Sequence, residues 1–495
     1  MSRSAGVRSG ALRGIEALPL TVEASSTGGL PGMHIVGKTN LRADETAERV
    51  RCAIGASGFE IPQSHFTVNL SPGDIQKLGC AYDLPIAVAI LAATKQIPRR
   101  VADHALFVGE LALDGSVLPV RGAASYAVLA DELGFDLVVS SSTPVVTRGR
   151  GRVLALSSLD QLAEGLEALP ALAGIVDAPD SEGSESSSLD YDQVLDQEIA
   201  KRAMVIAAAG RHGMLMVGPP GAGKSMLAKR LPTILPPLGD RERDEAMLIH
   251  SAAGQPLDSI ARGERPFRAP HHSMTLAGLV GGGRPVIPGE LSLAHNGVLF
   301  LDEIPEFANN VLQAMRQPIE DHVVRLVRAE GTYVFPCDFQ LVAAANPCPC
   351  GHLGDPGHTC RCPPAKVVAY QNKIGGPLMN RIDVVCDVAR PSEKSVIRGG
   401  KGMGSAEMRE IVVNAREFRS WRLARYGAAD GPGGAALADD ARELFEGYAA
   451  KLLLGGRAIV RIASVARTVA DIAEHPLVET EDIVEALGFR SRASL

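Results

Sequence analysis

One eight-residue run restricts this chain more than anything else in it. Gly218, Pro219, Pro220, Gly221, Ala222, Gly223, Lys224 and Ser225 read GPPGAGKS and match the spacing G-x4-G-K-[ST]. The apolar stretch MLMVG leads into the run and KSMLAKRL leads out, so a buried strand is expected to end at the loop and a helix to begin there. Glycines let successive backbone N–H groups curl around a phosphate with no Cβ in the way, and the helix N-terminus adds the positive end of its dipole. Lys224 is expected to contact the β- and γ-phosphates of ATP, and Ser225 to hold Mg²⁺. The competing account is a chance Gly-rich turn before a helix, and the two correct flanks argue against it.

A second motif, GVLFLDE at Gly297–Glu303, follows about eighty residues later. Its apolar run predicts a buried strand whose C-terminal end delivers Asp302 to the Mg²⁺ shell and Glu303 to the attacking water, which it would orient or deprotonate. By itself an apolar run ending in Asp-Glu is a common solvated strand end; the distance from the phosphate loop makes that account weaker. A third strand, QLVAAAN, ends at Asn346. Lying between the other two strands, it would let this amide reach the γ-phosphate side. The alternative is a turn residue before Pro347.

At 495 residues the chain exceeds one ordinary domain. Residues 1–175 alternate short apolar runs (HFTVNL, LFVGELAL, DLVVS) with a helical stretch, DLPIAVAILAAT, an α/β pattern with a hairpin expected at Leu113–Ser116. Residues 176–192 are acidic and Ser-rich, as a linker would be. A second α/β block covers 193–392, and 393–495 reads as helical. The composition, 46% apolar and 22% charged, is that of a soluble globular protein, and the longest apolar run, around Leu84–Ala93, is too short to span a bilayer. No signal peptide is visible at the N-terminus, so a cytoplasmic protein with no membrane partner is expected. A net charge of −7 excludes a globally basic nucleic-acid coat but not a local basic pore.

Four of the eight cysteines, Cys348, Cys350, Cys360 and Cys362, form C-x-C-x9-C-x-C. Four thiolates on a Gly/Pro-rich loop suit tetrahedral Zn²⁺, with His352 and His358 as substitutes or supporting groups. Unliganded loop thiols and a reversible disulfide are the alternatives.

The order of motifs resembles the YifB/ComM family of magnesium-chelatase-like AAA+ ATPases. The blocks RPFRAPHHSMTLAGLVGGG, PGELSLAHNGVLFLDEIPEF, AANPCPCG, GPLMNRIDV and RAIVRIASVARTVAD carry the likeness, which spans nearly the whole chain. The resemblance implies a homohexameric ring with ATP sites between subunits and, for ComM-type members, a DNA helicase driving branch migration in recombination during natural transformation. It implies a parallel-sheet AAA+ core with the Cys-rich loop at 348–362, followed by a C-terminal helical lid. Asn346 becomes the sensor-1 residue. Arg381, in LMNRIDV, becomes an arginine finger serving the neighbouring subunit; Asn380 stands where the usual pattern has Asp. Arg457, in GGRAIVR, becomes the sensor-2 residue.

The first block resembles the S5-type α/β protease domain of Lon, through FVGELALDGSVLPVRGAASYAVLA. Peptide cleavage there needs a Ser activated by Lys. Ala81 stands at the Ser position and Tyr126 at the Lys position, with Cys80 one residue off; a packed thiol is the expected role of Cys80. For single-stranded or branched DNA the basic candidates are Arg409, Arg416, Arg419, Arg422 and Arg425 on one helix, and Arg325 and Arg328 on a hairpin; a solvated helix face is the plainer account of the first group. His271 and His272 either order the segment before the Asp-Glu strand or touch nucleotide. The competing functions are an ATPase subunit of a metal-insertion complex, as in magnesium chelatase, and an ATP-dependent protease, which the missing dyad disfavours.

Overall fold

The computed structural model describes residues 4–27, 30–37, 43–61, 64–144, 151–172, 189–355, 357–374, 378–392, 394, 397, 402–428 and 431–490. Most of the stretch expected as a linker, from 176 to 188, lies outside the described residues. The fold is mixed α/β with a helical C-terminal region.

The first part of the chain builds a seven-stranded mixed sheet. It opens with a long antiparallel hairpin, Ser4–Arg13 paired with Glu16–Thr27 in continuous register. Ser4–Arg13 also runs parallel to Ala105–Phe107, which places it inside the sheet rather than at an edge. Periodicity alone did not announce this strand, because Ser, Gly and Ala fill it; its burial comes from Val7 and Ala11 and from Ser9, whose hydroxyl bonds Phe107 O at 2.9 Å. Gly10 is small for a packing reason: a Cβ there would meet the Tyr126 ring at 2.8 Å. Asp83–Ala93 is a helix whose residues are buried all round except Ala92, so it acts as core rather than as an amphipathic cover. The expected hairpin forms as the pair Glu110–Leu111 and Val117–Leu118, with Asp114 Oδ1 accepting from the Ser116 amide at 3.0 Å.

The second sheet has five strands, all parallel, in the order Phe267–Arg268, Val298–Leu301, Gln340–Ala345, Met214–Val217, Val384–Asp387. The three expected strands are its centre, and the two outer ones were not anticipated: Phe267–Arg268 is only two residues long, and Val384–Asp387 is interrupted by a cysteine. Each inner strand is buried along its length, as a parallel sheet covered on both faces requires. Helices Glu198–Gly210 and Lys224–Ile234 share one core with Ser405–Tyr426, Asp439–Lys451, Gly456–Ile472 and Thr480–Gly488. A hairpin, Val323–Arg328 with Gly331–Pro336, stands apart from the sheet.

The two parts touch directly. The tip of the first hairpin reaches the second: Arg13 donates to Thr332 O at 3.4 Å and lies 6.0 Å from the Tyr333 ring centre. The Gly122 amide donates to Ser251 O at 2.9 Å and the Ala124 amide to Ser251 Oγ at 3.1 Å.

Candidate functional site

Parallel strands deliver their C-terminal ends to one edge of the sheet, where open α/β folds place ligands. Met214–Val217 ends there and turns at once into the glycine loop. Gly218 has no room for a side chain, since a Cβ would meet Val388 O at 2.1 Å. Gly221 and Gly223 take φ of 78° and 91°, conformations that cost an L-residue about 1 kcal/mol or more. Helix Lys224–Ile234 starts immediately after, with its N-terminus on the loop.

Lys224 Nζ is held inside the curl, donating to Gly218 O at 2.6 Å, Pro219 O at 3.0 Å and Asn346 Oδ1 at 3.1 Å. Burial pulls its pKa down, against the opposing pull of Asp302 and Glu303. Ser225 Oγ donates to Asp302 Oδ2 at 2.5 Å. The register explains this meeting of residues remote in sequence: Gln340–Ala345 pairs with Met214–Val217 on one side and Val298–Leu301 on the other, so Asn346 and Asp302 flank the loop. The Ser–Asp pair is two oxygen donors suited to a hard cation, and Lys224 with the loop amides is suited to phosphate. Glu303 follows Asp302 in a left-handed backbone conformation (φ 50°, ψ 47°) with its side chain half exposed.

The cysteine loop lies against the glycine loop. Gly351, at φ 81°, is so close that a Cβ would meet Pro220 Cδ at 2.5 Å. Residue spacing carries no signal of this contact. Cys348 Sγ lies 3.4 Å from Cys350 Sγ and 3.6 Å from Cys360 Sγ, the last two are 3.7 Å apart, and all four thiols fall within 4.8 Å of one another. Tetrahedral Zn²⁺ with bonds of about 2.3 Å sets its sulfurs roughly 3.8 Å apart, so this donor set fits the ion. Backbone amides of His352 and Arg361 point at Cys350 Sγ and lower its pKa to about 6, while Cys360 and Cys362 are pushed up, so Cys350 ionises ahead of those two. His352 and His358 do not join the thiols. Their Nδ1 atoms meet Asp355 Oδ2 at 3.2 and 3.3 Å, and Arg390 meets the same oxygen at 3.4 Å. The following helix, Pro364–Ile374, carries the loop on to the Asp-Glu turn: Gln371 donates to Pro347 O at 3.1 Å and Lys373 to Pro305 O at 3.2 Å.

Three family profiles match the chain in succession: "Subunit ChlI of Mg-chelatase" over residues 22–143, "Magnesium chelatase, subunit ChlI" over 190–396, and the C-terminal region of that subunit over 402–490. The chain is 38% identical over 499 residues to a Haemophilus influenzae protein named Competence protein ComM, covering 99% of this chain and 98% of that one. It is 38% identical over 501 residues to the Escherichia coli protein YifB, covering 98% and 96%. A Mycobacterium tuberculosis relative is 36% identical over 498 residues. The chain belongs to the YifB/ComM family of magnesium-chelatase-like AAA+ ATPases.

Other residues singled out in the sequence of this family member lie elsewhere. Arg381 sits beside Gly213, at the opposite end of the sheet from the glycine loop: a Cβ on Gly213 would meet Arg381 O at 2.1 Å. Four strand residues separate Gly213 from Gly218, five steps spanning roughly 16 Å at about 3.3 Å each, so Arg381 does not approach Lys224 of its own chain. Its guanidinium pairs with Glu320 in a cavity of about 390 Å³ that Arg211, Asp338 and Asp383 also line. Arg457 is exposed on the first turn of Gly456–Ile472. It is the neighbouring Arg461 that is engaged, donating to Met379 O at 2.7 Å.

The arginine face expected on Ser405–Tyr426 is largely committed inside the chain. Arg409 donates to Thr233 O at 2.8 Å, Arg416 to Ala208 O at 2.6 Å, and buried Arg422 grips Asp471 with two bonds of 2.9 and 3.2 Å. Arg419 and Arg425 remain exposed, the latter within 6 Å of the Trp421 and Tyr426 rings. Helical spacing predicts a shared face but cannot say whether it meets solvent or a neighbouring helix. On the separate hairpin, Arg325, Val327 and Arg328 are exposed.

In the first sheet, Ala81 packs against the cluster that contains fully buried Tyr126. Burial and the nearby carboxylates of Asp83 and Glu110 raise the Cys80 pKa, so the thiol stays protonated. Asp83 is tied to Arg49 at 2.9 Å.

Among the described residues, no helix is long and apolar enough to cross a membrane.

Proposed function

We propose that this ATPase is a ring motor that acts on single-stranded or branched DNA, as a helicase or branch-migration factor in recombination or natural transformation. One observation supports a ring above all: Lys224, Asn346, Ser225 and Asp302 gather at one end of the parallel sheet, while Arg381 stands at the other. A cation on the far side of the subunit would serve a neighbour's phosphates rather than its own, and a closed homohexamer is the assembly this reading takes. In it Lys224 and the loop amides would hold the phosphates, and Ser225 and Asp302 the Mg²⁺. Glu303 would take the proton of the attacking water as its oxygen closes on the γ-phosphorus, and Asn346 would orient that water. Arg381 of the adjoining subunit would neutralise charge in the transition state, with Arg457 supporting nucleotide from the lid. Zn²⁺ on the four cysteines would staple the loop against Pro220. The same reading takes 1–175, 193–392 and 393–495 as domains, the first a scaffold without peptidase activity, and a cytoplasmic site of action.

The DNA partner is supported by the similarity to a competence protein and by the exposed Arg325 and Arg328. The profile descriptions favour a second reading, an ATPase subunit of a metal-insertion complex. Measuring ATP hydrolysis with single-stranded DNA, branched DNA, porphyrin-handling partner proteins or unfolded protein separates the readings. Stimulation by DNA with loss of the effect at high salt is expected. Stimulation by the porphyrin partners alone would overturn the DNA reading.

A further inference from the structure

His272 belongs to none of the groups that bind phosphate or metal, yet it faces Glu303. Strand Phe267–Arg268 runs beside Val298–Leu301, with Arg268 opposite Leu299, and Arg268 is fixed by two bonds to Glu290 at 2.6 and 2.7 Å. Four residues on, the chain turns sharply, with the Met274 amide bonding His271 O at 3.0 Å. That turn aims the two imidazoles differently. His271 Nδ1 is taken by Ser273, accepting its amide at 3.3 Å and lying 2.7 Å from its hydroxyl. His272 is wedged between the His271 ring, 4.0 Å away, and the edge of Phe307, 6.5 Å away, and its Nδ1 lies 3.8 Å from Glu303 Oε2. Among the described residues it is the one basic group that pairs with this carboxylate.

Glu303 needs such a partner. Its backbone is left-handed, a conformation that fixes where the side chain leaves the strand at a cost of about 1–2 kcal/mol. Its side chain is nonetheless 51% exposed, so packing alone does not fix the terminal torsions. A general base works only when its oxygen is held within hydrogen-bond reach of the proton it removes.

We propose that His272 is a positioning residue for Glu303: its Nδ1–H closes from 3.8 Å to a hydrogen bond with Oε2, leaving the other carboxylate oxygen for water. This inference rests on the reading of Glu303 as the water-activating base. It concerns turnover and not nucleotide affinity, because His272 contacts the carboxylate and not the glycine loop.

The test is steady-state ATP hydrolysis by the full chain, with binding of a non-hydrolysable ATP analogue measured alongside. His272→Ala is expected to lower kcat on the order of 10²-fold, the cost of misplacing a reacting group by about an ångström, while analogue affinity stays within twofold. His272→Asn, whose side-chain N–H lies near the Nδ1 position, is expected to recover at least part of that loss. In the Glu303→Gln background His272→Ala is expected to add nothing further, since both changes remove one interaction. Unchanged kcat in His272→Ala, an equal loss in analogue binding, or a fully additive double variant would overturn the proposal. The two readings separate cleanly: normal turnover by Glu303→Gln would sink the role of the base itself. A stalled Glu303→Gln beside a fully active His272→Ala would sink the positioning role alone.

Discussion

The two sheets of this molecule both bring remote residues together at a strand end, and they do opposite things with them. In the first, Ala81 and the cluster of buried Tyr126 meet as packing. The nearest nucleophile, Cys80, is kept protonated by burial and by Asp83 and Glu110. In the second, Lys224, Ser225, Asp302 and Asn346 meet as polar groups whose side chains bond the loop carbonyls and one another. A buried lysine leaning on backbone carbonyls is poorly compensated, and phosphate would compensate it better. Architecture therefore does not carry the chemistry; the identity of three or four side chains at the strand ends does.

The largest expected effect tests the active half of that comparison. Arg381→Ala is expected to bind ATP normally and lose hydrolysis by 10³-fold or more, an order of magnitude taken from arginine fingers generally. Glu303→Gln is expected to stall in the same way. Mixing the two proteins should restore part of the activity, because one interface then holds both intact halves. Co-assembled mixtures that stay inactive would count against an arginine acting between subunits.

A smaller effect is expected at the cysteine loop. The place of this loop between Asn346 and Arg381 suggests by itself a role in assembly that leaves ATP binding by the monomer intact. The contact of Gly351 with Pro220 changes that expectation. Replacing Cys360 and Cys362 by Ala should remove one zinc per subunit, read by elemental analysis of protein purified without a metal-affinity tag. It should also lower thermal stability and weaken ATP binding roughly 3- to 10-fold, as loss of about 1 kcal/mol of loop ordering would. Zinc-free wild-type protein with full affinity and full assembly would return the thiols to ordinary loop residues.

The smallest effect, none at all, is expected in the first sheet. The wild-type protein should leave casein-like substrates intact in the presence of ATP, and Cys80→Ala should alter neither that result nor ATP turnover. Cleavage that survives repurification and vanishes in Cys80→Ala would erase the contrast between the two halves.

Much of this was legible beforehand for a physical reason. A phosphate loop is local: its glycines, its lysine and the strand and helix flanking it lie within a dozen residues, so spacing alone predicts their geometry. The apolar strands ending at Asp302 and Asn346 were legible for the same reason, as short buried runs with one polar terminus. The opening strand was not, because Gly10 and Ser9 answer to Tyr126 and Phe107, residues about a hundred positions away. Nor were the fates of the helix arginines, since Arg416 and Arg422 are settled by Ala208 and Asp471 across a helix interface.

The sequence by itself determined that a glycine loop of the phosphate-binding pattern, an Asp-Glu strand and four closely spaced cysteines exist in this chain, because each is written in neighbouring residues. Tertiary structure alone decided four things. It set Asn346 beside Lys224 through the order of parallel strands. It sent Arg381 to the far end of the sheet. It turned His272 toward Glu303 and leaned the cysteine loop on Pro220. Contacts of this kind depend on how strands are ordered and how loops cross, and residue spacing holds no record of either.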